Sequence, residues 1–334
     1  GVGGMVSFRA KFTTGLQSRG IDVTPDSRRP TPDALLVIGG TRDLLGLMQA
    51  KRRGARIVQR LNGMNWLHRK LRTGVRHYLR SVYGNWNLNF IRMRIADHIV
   101  YQSEFSRDWW QRVYGPAPVS SSIVYNGVDL DIYSPASTFN LQSSTYKLLL
   151  VEGSLSGGYE LGLESAIALL DVLNTAYRQT LGKTVELTVV GRVSENLKQK
   201  WQQRTANRVT WVGQLPTEQI PEMDRAAHLL YACDINAACP NSVIEALACG
   251  LPVLAFDTGA LVELVTGDSG RVVPYGGDPW KLDKPDISAL AEAAVEILLH
   301  QEKFRPAARV RAADAFGLDT MLDGYLHALE IENM

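Results

Sequence analysis

The sequence is short of the residues that build disulfide frameworks and metal cages. Its three cysteines, Cys233, Cys239 and Cys249, cannot all pair, and no Cys/His spacing matches a metal cluster, so no bridged scaffold and no bound metal is expected. Long apolar runs are also missing. The longest, Ala289 to Leu299, carries Glu292 and Glu296 and is too short to span a bilayer, and no secretory apolar stretch follows Gly1. A soluble protein in a reducing cytosol is the expectation. A third absence is local: between Asp43 and Asp97 there are 12 Lys and Arg and no carboxylate.

The chain has 334 residues, which favours two domains over one. Its net charge of +2 hides an asymmetry. Residues 1–140 hold 20 Lys and Arg against 9 Asp and Glu, a net of +11, and residues 141–334 hold 16 against 25, a net of −9. A field of that sign in the first half suits anionic lipid, a phosphorylated acceptor or nucleic acid. Trp66, Tyr78, Tyr83, Trp86 and Phe90 are interleaved with the cations. Three readings fit: a membrane-proximal surface over residues 51–94, a helical hairpin whose aromatics are core, or base stacking. No nucleic-acid-binding motif accompanies the charge, so nucleic acid ranks last.

The most informative stretch runs from Cys239 to Phe256. Pro240 suits the first turn of a helix, Val243, Ile244, Leu247 and Ala248 recur at helical spacing, and Gly250 can end the helix in the left-handed region. Leu251 to Phe256 is an apolar run of strand length. The amides of Asn241 and Ser242 lie at the positive end of the helix dipole, where a phosphate or sugar oxygen is held. On geometry alone an ordinary helix–strand unit reads equally well.

Before it, Gly1 to Gly4 lead into a helix marked by Met5, Phe8, Phe12 and Leu16. Strands are expected at Ala34–Ile38, Ile57–Leu61 and Asp97–Ser103, with Ser103 capping the helix after the third, and Ile123–Asp129 reads as a last strand with its turn at Asn126-Gly127. The polar stretch from Pro135 to Thr145 reads as a domain boundary. Beyond it, Tyr146–Val151, Val185–Val190, Val209–Val212 and Ala227–Tyr231 are strands of a second sheet, and Gly191-Arg192 falls at a carboxyl end, where open α/β sheets bind ligands.

The order Pro240-Asn-Ser-x-x-Glu245-Ala-x-Ala-Cys-Gly250-x-Pro-Val resembles the nucleotide-sugar motif of the retaining GT-B glycosyltransferases of family 4, also called glycosyl transferases group 1. The likeness continues through Gly259, Glu263 to Val265, Gly270 and Val272 to Gly277. It implies an α/β protein of the GT-B type, with two doubly wound, Rossmann-like parallel sheets facing a cleft. Residues 1–140 would form a basic, acceptor-side domain lacking the family's first strand, and residues 141–317 the nucleotide-sugar domain. Residues 318–334 would pack back on the first, using Met321, Leu322, Tyr325 and Leu326.

The resemblance implies transfer of a sugar from a nucleotide-diphosphate donor, with retention of configuration, to a glycan or lipid-linked acceptor, with no cofactor and no required metal. Arg192 and Lys198 would neutralise the diphosphate, and Asn62 stands where the family often carries a histidine facing the sugar. Gly3, Gly4 and Gly191, the backbone at Gln214 and Leu215, and Asn241, Ser242 and Val243 would bind the donor, with Glu245 on the ribose. Two departures stand out. Ala237 replaces a family glutamate eight positions before Glu245, leaving Asp234 as a substitute, and the lysine of the glycine loop falls on Gly158 or Tyr159. A nucleotide-sugar epimerase of the same architecture and a non-catalytic nucleotide-sugar binder fit the same residues. The protein is expected in the cytoplasm, peripheral on the inner face of the membrane.

Overall fold

The computed structural model describes residues 4–24, 32–72, 74–137, 143–155 and 160–331. Two compact units emerge, Gly1–Gly127 with Leu318–Met334, and Val128–Gly317.

The first unit runs α1 (Gly4–Ser18), β1 (Ala34–Ile38), α2 (Leu44–Arg52), β2 (Arg56–Leu61), α3 (Val75–Arg94), β3 (His98–Tyr101), α4 (Glu104–Tyr114) and β4 (Ser120–Ile123). Its four strands pair in parallel in chain order. Side chains alternate across a strand, so Ile57 packs with Val37, Leu47, Ile91 and Ile95 on one face. Its neighbour Val58 joins Val100, Phe8, Phe12 and Leu16 on the other. Asp43 caps α2 by accepting from the Gly46 amide at 2.9 Å. Ser103 caps α4 by accepting from the Ser106 amide at 3.1 Å.

The fourth strand lies upstream of its expected place at 123–129. Ser120, Ser121 and Ser122 pair with His98, Ile99 and Val100, and this serine run carries no apolar alternation to reveal it. Tyr125 to Val128 is a loop in which Asn126, almost buried, accepts from Arg60 Nη2 at 2.8 Å. The units divide at Gly127 rather than at residue 140. The Val128 amide already bonds to the Phe316 carbonyl at 2.9 Å, and Arg309 donates to the carbonyls of Leu130 and Tyr133. Residues 138–142 of the polar stretch lie outside the described residues.

The second unit runs β5 (Thr145–Ser154), α5 (Glu160–Thr175), α6 (Arg178–Leu181), β6 (Thr184–Arg192), α7 (Glu195–Gln202), β7 (Val209–Gly213), α8 (Ile220–Ala226) and β8 (Leu229–Ala232). It continues with α9 (Asn241–Ala248), β9 (Val253–Phe256), α10 (Leu261–Leu264), β10 (Gly270–Val273), α11 (Ile287–Leu299) and α12 (Gln301–Ala315). The six strands are parallel in the order β10-β9-β8-β5-β6-β7. Leu148, Leu150, Leu187 and Val189 of the sheet bury against Leu163, Ile167 and Leu170 of α5 and Leu290, Ala294 and Ile297 of α11. Each of these leucine, isoleucine and valine side chains contributes about 2 kcal/mol by leaving water.

The last helix, α13 (Leu318–Leu329), folds with the first unit. Its stripe of Met321, Leu322, Tyr325 and Leu326 enters the cluster with α1. The Tyr325 ring sits 5.0 Å from Phe8 and 5.3 Å from Phe12.

Candidate donor-binding site

Because all six strands of the second sheet are parallel, their carboxyl ends share one edge. The chain leaves β5 toward β6 and β7 on one side, then returns to lay β8, β9 and β10 on the other. The switch point is therefore flanked by β5 and its neighbours, and a crevice for a ligand opens there in sheets of this kind.

Gly191 and Arg192 end β6 on this edge. Gly191 has φ +142°, and a Cβ on it would overlap the carbonyl oxygen of Glu152 on β5. That close approach is the physical reason for glycine here. Arg192 is exposed and its carbonyl accepts from the Leu155 amide at 2.9 Å, while its guanidinium has no partner among the described residues. Gln214 and Leu215 follow β7 on the same edge, and Gln214 Nε2 donates to the Gly153 carbonyl at 3.2 Å, tying the loop after β7 to β5.

The helix α9 begins at Asn241, with Pro240 one place earlier than expected, as the cap residue with extended backbone. Proline has no side chain that accepts, so the cap residue itself makes no side-chain bond to the first-turn amides. Asn241 and Ser242 are half-buried, and Val243 is fully buried. At the other end Gly250 takes φ +69°, and the Leu251 and Gly250 amides bond back to Ala246 and Leu247, a Schellman ending.

Lys198 and Glu245 are less free than the motif suggests. Lys198 Nζ is held by Glu195 at 2.7 Å, one turn back on α7, although Glu195 itself is largely exposed and can release it. Glu245 is 7% exposed, and its charge, after desolvation, raises the pKa of Asp224, whose carboxylate oxygens are buried without a hydrogen-bond partner among the described residues. Ala237 is buried. Gly259, at φ +62°, lies so close that a Cβ would overlap the Ala237 backbone, and the Ala260 amide donates to the Ala237 carbonyl at 2.8 Å. The family's glutamate position is thus tightly packed in this chain.

Asp234, which the sequence offered in place of the missing glutamate, has at the switch point a partner that sequence reasoning passed over. Glu152, at the end of β5, and Asp234, just after β8, are brought together by the pairing of Leu148 and Leu149 with Leu229 and Leu230. Desolvation and then the charge of Asp234 push the Glu152 carboxyl up to about 8, and desolvation pushes that of Asp234 to about 6. Like charges on neighbouring strand ends resist joint ionisation, so the pair keeps a proton near neutrality. The only sequence signal was a carboxylate at each of two strand ends, and their adjacency required the strand order.

Asn62 and Gly4 belong to the first unit. The Asn62 carbonyl accepts from Ser106 Oγ at 3.1 Å and Trp110 Nε1 at 2.7 Å, which fixes the tip of the strand. Its carboxamide has no partner among the described residues. Gly4 is the first residue of α1, and Gly3, Gly158 and Tyr159 lie outside the described residues.

Comparison with known proteins agrees with this geometry. Residues 162–300 match the family model described as glycosyl transferases group 1. A curated relative, the 2-deoxystreptamine N-acetyl-D-glucosaminyltransferase of Streptomyces fradiae, is 27% identical over 112 residues, 34% of this chain. The match spans a quarter of that relative's length, 25%. Among solved structures, sucrose-phosphate synthase from Thermosynechococcus elongatus aligns with a TM-score of 0.68 at 17% identity, over 97% of this chain and 77% of that one. The lipopolysaccharide glycosyltransferase WaaG aligns with 0.67 at 16% identity, over 99% and 97%. HepE of Anabaena, solved with UDP and glucose, aligns with 0.65 at 16% identity, over 98% and 96%. Within the second unit, residues 162–300 are similar to the glycosyl transferases group 1 model, and the chain has the GT-B fold of two Rossmann-like parallel sheets.

Proposed function

We propose that this chain transfers a sugar from a nucleotide-diphosphate donor to an acceptor, with retention of anomeric configuration. The reading is carried by one observation: Gly191-Arg192 and the amino end of α9 share a strand edge within the family-matched segment. As the glycosidic bond breaks, the leaving nucleoside diphosphate gains negative charge. The Arg192 guanidinium and the α9 amides stabilise that charge more in the transition state than in the bound donor, which is what lowers the barrier. Lys198 joins them on leaving Glu195, and no metal ion is required for this neutralisation.

Glu245 is assigned to the ribose hydroxyls and the backbone at Gln214 and Leu215 to the base edge. The Glu152–Asp234 pair, with one protonated and one ionised member, can both donate to and accept from sugar hydroxyls, a role that Ala237 cannot fill. Asn62 offers a hydrogen-bonding amide and not a base. The acceptor is assigned to lipid-linked or cell-surface glycans, met from the cytoplasmic side at an anionic membrane surface suited to the charge of residues 51–94.

The names of the relatives make UDP-glucose and UDP-N-acetylglucosamine the first donors to try. The test is incubation with a panel of nucleotide sugars, reading free nucleotide diphosphate by chromatography and anomeric configuration by NMR. Released diphosphate with a retained anomer supports the proposal. An isomerised donor would indicate an epimerase, and saturable binding without turnover a non-catalytic binder.

A further inference from the structure

The helix α3 is amphipathic the wrong way round for a helix on a globular protein. Its buried positions include Ser81, Asn85, Asn87 and Arg92, whereas Val75, Leu79, Tyr83 and Trp86 point outward. These four are spaced i, i+4, i+8 and i+11, so they form one stripe along the helix. Val75 is 77% exposed, Leu79 61% and Trp86 52%. Along this stripe the aromatic rings meet, Tyr83 tilted against Trp86 at 5.8 Å and Trp86 stacked on Phe90 at 5.4 Å. Only Phe90 packs against a core cluster, so the stripe is not a hidden core.

The amino end of the helix is stranger still. Gly74 to Arg80 are exposed without a break, and Tyr78 meets the rest of the unit only edge-on, its ring 5.2 Å from that of His68. An isolated stretch of that length is not a stable helix in water, and it carries three large apolar side chains there. The charge around it has one sign. Arg69, Lys70, Arg72, Arg76, Arg80 and Arg94 are all exposed, and no carboxylate occurs between Asp43 and Asp97 to neutralise them. A cationic rim around an aromatic and aliphatic ridge complements an anionic bilayer: the arginines meet headgroup charge while the ridge enters the boundary with the acyl chains.

We infer that α3 is an in-plane membrane anchor, in which Val75, Leu79, Tyr83 and Trp86 enter the interface of an anionic bilayer and Arg76 and Arg80 hold its headgroups. This deepens the proposed use of a lipid-linked acceptor, and rests on that reading for its purpose but not for its observations. The helix would lie along the surface, and its exposed first turns would gain there the apolar contacts they lack in water.

The test is co-sedimentation of the full chain with vesicles of phosphatidylcholine, and with vesicles of equal parts phosphatidylcholine and phosphatidylglycerol. Binding is expected to the anionic vesicles, to weaken with salt, and to bring quenching of Trp fluorescence by brominated lipid. Because Trp86 is exposed in the free protein, Trp86→Ala should remove most of that quenching and weaken binding about tenfold. Arg76→Ala with Arg80→Ala should weaken it about twenty-five-fold, at roughly fivefold per cation. Arg76 and Arg80 touch no core contact, so melting of that variant should be unchanged, while Trp86→Ala loses its stacking on Phe90 and should melt only slightly lower. Equal binding to both vesicle types, no binding, or binding that leaves Trp86 unquenched would overturn the inference. So would a concentration-dependent dimer that buries Trp86, seen by analytical ultracentrifugation. Vesicle binding needs no donor and donor turnover needs no vesicle, so either proposal can fail alone.

Discussion

Replacing Glu152 by glutamine isolates the proton that the switch-point pair holds. The ordinary glutamate value is 4.5, and in the folded chain Glu152 is pushed up to about 8 by desolvation and by Asp234. Between these values the unfolded chain has released a proton that the folded chain keeps, so the folded state binds more protons and stability falls as pH rises. One such proton corresponds to a slope of about 1.4 kcal/mol per pH unit. Sharing with Asp234 and partial solvent contact reduce this, to a loss of about 2 kcal/mol between about pH 5 and about pH 8. Glutamine has the same shape and no proton to lose. The variant should melt with the parent at about pH 5 and about 5 °C above it at about pH 8, followed by circular dichroism across the pH range. Parallel melting curves for the two proteins, with a constant offset at every pH, would show that Glu152 ionises in the ordinary range and would refute the pairing.

Gly191→Ala should destabilise the second unit by about 2–4 kcal/mol, because the new Cβ meets the Glu152 carbonyl at a backbone angle that side chains rarely adopt; a loss below about 0.5 kcal/mol in urea unfolding would contradict this. Ala237→Glu should fail to restore the family's glutamate and should cost about 2–3 kcal/mol, since Gly259 and Ala260 already close on that backbone. A variant of unchanged melting and faster turnover would show the position open to the donor. Lys198→Ala is expected to reduce kcat/KM less than Arg192→Ala does, because Lys198 must first leave Glu195; the reverse order would remove that ion pair from the account.

Much of this fold was legible wherever apolar period and cap chemistry agreed. Phe8, Phe12 and Leu16 announced α1, Ser103 announced the start of α4, and the Gly250 ending of α9 followed from one residue. The failures have the same physical cause in reverse. Three serines make β4, and what holds them is pairing to β3 rather than any preference of their own. The edge carrying Arg192, Gln214 and Asn241 was readable from motif and strand ends together. The Glu152–Asp234 pair was not, because two carboxylates some eighty residues apart become neighbours only once β8 is laid beside β5. Nor was the inversion of α3, since the aromatics and cations of that segment suited a buried face as well as an exposed one until each was assigned a side.

The account turns on Arg192 neutralising a departing diphosphate, and one comparison tests that most directly: nucleotide diphosphate released from the best donor by the parent protein and by Arg192→Ala. The side chain is exposed and without a partner among the described residues, so its removal should leave melting unchanged. The rate should fall about a hundredfold, with a smaller change in donor binding, as expected of a group that acts mainly in the transition state. Equal rates for the two proteins, or a loss confined to donor affinity, would contradict it.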